Sequence, residues 1–136
     1  MKIFHIVSNK AWGGGEQYVY DLSLRQRADD IDITIFCKPV EDIIRKYTEA
    51  GLQVIPLALG GALDLKSAWQ MAKIISKAGP CTIHAHNFKD AFTACYARNI
   101  TARGRFSGQF SENSPGDGSL VSFQNSRRGT VLWLIY

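Results

Sequence analysis

Hydrophobic and polar positions along the first hundred residues alternate between two rhythms. Short runs rich in β-branched and aromatic residues are separated by longer stretches in which apolar residues recur at helical spacing. The runs at residues 3–8, 32–38, 52–57 and 81–86 read as strands. After the glycine-rich turn Trp12-Gly13-Gly14-Gly15, a first helix places Tyr18, Val19 and Leu22 on one face. A second helix opens near Pro39, carries Val40, Ile43, Ile44 and Tyr47 on one stripe, and closes at Gly51. A third begins at a capping Asp64, follows the 3.6 period through Leu65, Ala68, Trp69, Ala72 and Ile75, and stops at Gly79-Pro80. Phe88, Phe92 and Cys95 mark one face of a fourth helix running to about Ile100. This order predicts an α/β fold: a Rossmann-like, doubly wound, mainly parallel sheet with helices on both faces and right-handed crossovers. The binding crevice of such a sheet lies beyond the carboxyl ends of its strands.

From Thr101 the rhythm breaks. The last 36 residues hold six serines, five glycines and no lysine, against eight lysines and four serines in the first hundred. The division expected is a Rossmann-like domain at 1–100 and an atypical tail at 101–136, mostly loop, with a strand at 130–136. A tail translated from a shifted reading frame is one hypothesis for so abrupt a change, testable by reading the other two frames of the coding DNA.

Composition narrows the class without naming a function. At 136 residues, 46% hydrophobic and 21% charged, the chain is one domain's worth of ordinary globular protein. No stretch approaches the ~18–20 apolar residues of a membrane span, and the apolar run after Lys2 is too short for a secretory signal, so a cytoplasmic location is expected. Three cysteines without ligand spacing argue for buried free thiols. A formal charge of +4 admits a phosphorylated ligand or peripheral contact with an acidic membrane surface; no nucleic-acid partner is expected.

The strongest local signal is Gly13, Gly14 and Gly15 ahead of the first helix. Glycine lets backbone N–H groups approach a phosphate, and the positive end of the helix dipole favours the anion. A dinucleotide fingerprint fails because Tyr18 stands where the third glycine belongs, and a phosphate-binding Gly-Lys-Ser/Thr loop is absent. Glu16 complements the helix dipole and reads as a cap as readily as a reactive group. His84 and His86 lie two apart and share a face of the fourth strand. No metal site is expected there, since no third ligand lies nearby in sequence. His86, nearer the following loop, is the candidate for touching a ligand, and His5 reads as buried structure. Lys89 and Asp90 read as solvated, and Tyr18, Tyr20, Trp69 and Phe92 as core or its margin.

The opening KIFHIVSNKAWGGGEQYVYDL, with Gly13-Gly14-Gly15-Glu16 as Gly-Gly-x-Glu, and the segment TIHAHNFKDAF, with its His84-Ala85-His86 strand, stand in a telling order. Over about residues 1–100 the chain resembles the N-terminal domain of GT-B glycosyltransferases, especially the retaining family-four group. That resemblance implies transfer of a sugar from a nucleotide-sugar donor to a glycan or lipid-linked acceptor, with no separate cofactor. It puts the loop of Gly13, Gly14, Gly15 and Glu16 at the donor diphosphate, and His86, the catalytic candidate, beside the donor sugar or acceptor. An N–H-lined helix start stabilises a diphosphate leaving group without a metal. In such enzymes a second domain supplies most nucleotide contacts, and none of its motifs follows Ile100. The expectation is an acceptor-side domain, truncated and inactive alone, with an uncovered face open to self-association. Two other readings share the pattern: a noncatalytic α/β module binding a phosphorylated small molecule or a protein, and a nucleotide-sugar epimerase of the same architecture.

Overall fold

The computed structural model describes residues 1–61, 63–101, 121–124 and 131–134. The elements run β1 (Lys2–Val7), α1 (Gly14–Ala28), β2 (Asp32–Cys37), α2 (Glu41–Glu49), β3 (Gln53–Pro56), α3 (Leu65–Ala78), β4 (Cys81–Ala85), α4 (Phe88–Thr101), β5 (Val121–Gln124) and β6 (Val131–Leu134). The strands form one sheet in the order β3-β2-β1-β4-β6-β5. Every pairing is parallel except that of β5 with β6. This is the Rossmann-like α/β arrangement that the periodicity predicts.

Strand alternation sorts the core into two layers. Phe4 and Ile6 of β1 join Phe36, Ile83 and Ala85 beneath α3 and α4. Ile3 and Val7 join Ile33, Ile35 and Cys37 beneath α1 and α2, with Val19, Ile43 and Tyr47 packed on them. Because β1 and β2 are covered on both faces, their sequences read as nearly continuous apolar runs. β3 closes one edge, where Pro56 at the strand end leaves no ladder bond missing inside the sheet. Gly51 stops α2 with a left-handed φ of 73°, as a C-terminal glycine should. Asp64 caps α3 by accepting from the Ser67 N–H at 2.9 Å.

The faces of three helices differ from the expected ones. In α1 the buried positions are Glu16, Val19 and Ser23, while Tyr18 stands 53% exposed. Tyr18 lies about 100° around the helix from Val19, outside the stripe that meets the sheet. In α3, Ala68, Met71, Ala72 and Ile75 face inward. Leu65 and Trp69 are exposed, the Trp69 ring carrying the Lys73 ammonium 3.5 Å from its centre. In α4 the inward face is Ala91, Ala94 and Ala97, not Phe88 and Phe92; Phe88 is exposed and meets Phe92 edge-on. Small residues let α4 lie close to α3 and the sheet, so the larger aromatic side chains are left at the margin.

Of the expected tail, residues 102–120, 125–130 and 135–136 lie outside the described residues. β6 pairs in parallel with β4, placing Thr82 opposite Val131 and Ala85 opposite Leu134. Cys37 and Cys81 are buried and Cys95 is half-buried, and none of the three is in a disulfide among the described residues. Among the described residues, no helix is long and apolar enough to cross a membrane.

Candidate functional site at the carboxyl edge of the sheet

β1 and β4 are parallel neighbours, ending at Val7 and Ala85, and α1 and α4 begin just beyond those ends. The glycine segment and His86 therefore stand on the same edge of the sheet. Gly13 is the N-cap of α1, whereas Gly14 and Gly15 form its first turn rather than part of a loose bend. The Gly13 φ of −154° is extended backbone open to any residue, so strain does not explain the glycines. Nor does crowding: a Cβ on Gly14 would meet nothing within 4 Å, and one on Gly13 or Gly15 would touch only the Glu16 or Asn9 side chain, so what glycine provides here is a bare peptide edge. The N-cap Gly13 has no side chain to offer the first amide hydrogens of α1, which have no acceptor within the helix. Glu16 folds back to accept the Gly13 N–H at 3.1 Å, while Tyr47 donates its hydroxyl hydrogen to the Glu16 carbonyl at 3.2 Å. The Glu16 carboxylate is buried, and its Oε1 has no partner among the described residues.

The strand register builds a second feature that the chain's linear order conceals. His5 is the Cα partner of His84, and alternation puts His86 on the same face. The rings of His84 and His86 are 4.2 Å apart, and each lies 5.1 Å from that of His5. His5 Nε2 lies 2.8 Å from Gln26 Oε1, an oxygen that only accepts, so His5 carries its proton there. Its Nδ1 is then a lone pair, and His86 Nε2, 2.8 Å away, must donate to it. Burial drives the His5 pKa down to about 4, and burial together with the two neighbouring imidazoles drives that of His86 down to about 2. Burial lowers His84 as well. The cluster is neutral at physiological pH. The Tyr18 ring, displaced from the core, stands edge-on to His86 at 6.0 Å.

Asp90, expected in solvent, is instead 1% exposed. Its Oδ2 accepts the Ser8 N–H at 3.2 Å and an Asn87 side-chain N–H at 2.6 Å, while Asn87 Oδ1 accepts the Asp90 N–H at 2.9 Å. This reciprocal cap ties the end of β1 to the start of α4. Burial raises the Asp90 carboxyl to about 6, against the pull of its hydrogen bonds from Ser8 and Asn87. The legible signal was the Asn87-x-x-Asp90 spacing at a helix start, which has the form of a capping box. His5 had no such signal, because its partners are 79 and 81 residues away.

A family model described as Glycosyltransferase Family 4 matches residues 12–107. No curated protein and no solved structure matches the chain.

Proposed function

From the chain's membership of Glycosyltransferase Family 4, we propose that this is the acceptor-side domain of an enzyme moving a sugar from a nucleotide-sugar donor to a glycan or lipid-linked acceptor. Gly13, Gly14 and Gly15 face the donor diphosphate. The observation that supports this is the glycine start of α1, where the N-cap brings no side-chain acceptor and Gly14 borders open space, on the same strand-end edge as His86. Amide hydrogens held by the helix before the ligand arrives need no reorganisation to stabilise charge building up on a leaving diphosphate. Glu16 consumes the Gly13 amide, so the donors left to the ligand begin at Gly14. His86 acts beside the donor sugar or acceptor. Its Nε2 is committed to His5, which leaves Nδ1 to accept from a sugar hydroxyl.

The test is a binding titration with UDP-, GDP- and ADP-sugars, comparing the chain with Gly14→Val. Because a side chain at this position meets only open space, the variant is expected to melt with the parent while one of the three ligands binds at least tenfold more weakly, about 1.4 kcal/mol. Equal binding by both proteins would move the diphosphate elsewhere. Binding of none of the three would favour a module for a different phosphorylated ligand.

A further inference from the structure

All three histidines of the chain meet at one place, with one nitrogen of each lying within 4.8 Å of the others. We propose that His5, His84 and His86 bind one divalent transition-metal ion, zinc foremost, with Gln26 orienting the His5 ligand. This goes beyond the transferase reading and does not depend on it; with the ion bound, His86 Nδ1 carries a proton and donates to a sugar hydroxyl instead of accepting from one.

Three independent observations carry the site. First, His84 is 8% exposed, and its Nε2 is buried with no partner among the described residues. A buried imidazole nitrogen without a hydrogen bond is costly in the native chain, and a metal ion satisfies it. Second, His5 already has the arrangement of a metal ligand: one ring nitrogen donates to a fixed oxygen, Gln26 Oε1 at 2.8 Å, and the other presents its lone pair to the cluster. Third, the 2.8 Å between His5 Nδ1 and His86 Nε2 and the 4.8 Å outer limit of the cluster bracket the about 3.3 Å separating ligand nitrogens in tetrahedral zinc.

The proton balance is simple. The ion takes the place of the hydrogen that His86 Nε2 shares with His5 Nδ1. That proton moves to His86 Nδ1, so the imidazole changes tautomer and no net charge leaves the site. Three neutral imidazoles with no carboxylate or carbonyl oxygen suit zinc and disfavour magnesium and calcium. Three protein ligands also leave the fourth position to water.

The experiment uses the 136-residue chain, stripped with a chelator and titrated with zinc chloride by calorimetry and with cobalt(II) by visible absorption. Expected are one ion per chain, the intense visible bands of four-coordinate cobalt, and a melting temperature that rises with zinc but not with magnesium. His84→Leu removes the unpartnered buried nitrogen and replaces the ring packed on His5 and His86 with an apolar side chain, so its metal-free form should fold while losing the cobalt bands. Gln26→Leu should keep the stoichiometry and weaken binding about 10–100-fold. Failure of the parent to bind zinc at micromolar concentration would overturn the proposal. So would full binding by His84→Leu, which would place the ion away from the three imidazoles.

Discussion

Asp90, His5 and His84 are buried and His86 is half-buried, in protonation states that oppose one another as the pH changes. The imidazole pKa values are depressed, so on acidification the unfolded chain takes up protons near pH 6.5 that the native chain refuses, and stability falls. Asp90 is raised, so its contribution is complete below its ordinary carboxylate range and is lost as the pH rises through about 6. Between pH 7 and 5, His5 and His86 each cost about 2 kcal/mol, against about 1 kcal/mol returned by Asp90. His84 adds to the loss in the same direction. We therefore expect urea unfolding to show a net loss of about 2–3 kcal/mol from pH 7 to 5, with most of it gone in His5→Asn/His86→Asn. Invariant stability over that range would mean that the imidazoles are hydrated. The residue scale is also where sequence reading was least dependable. The three glycines and His86 stood out by type and spacing; the Asn87-x-x-Asp90 spacing marks a helix cap, but it does not tell that the Asp90 carboxylate is buried against Ser8.

At the scale of elements, periodicity located the first four strands to within two residues and found the four helices, because alternation and the 3.6 period are properties of the local chain. It did less well at deciding which face turns inward. α4 is the clearest case: the eye follows Phe88 and Phe92, yet the buried stripe is Ala91, Ala94 and Ala97. Closeness of approach to α3 selects small side chains there, and that requirement arises only when two helices meet. Ala94→Leu should therefore destabilise the fold by about 1–3 kcal/mol, seen as a lower urea midpoint at unchanged slope. A conservative effect of under half that size would show that the α3 and α4 interface has room to spare.

At the scale of the whole molecule, a transferase cleft needs walls on both sides of the reacting sugar, and the described residues form one doubly wound sheet with one crevice edge. On the proposed reading the 136-residue chain should bind its donor but give negligible turnover with labelled nucleotide sugars, since orientation contributes about 7–11 kcal/mol of rate acceleration only when both reactants are held. Robust turnover by this chain would overturn that reading. Local sequence determined the α/β class, the strand and helix order, the glycine start of α1 and the pairing of His84 with His86, because each depends on neighbours within a few positions. Only the tertiary structure decided that Asp90 is buried, that Tyr18 faces out over His86, and that His5 completes the imidazole cluster. Those facts depend on strand register and on contacts between residues up to 82 positions apart, and no pattern read along the chain contains the free energy of such a meeting.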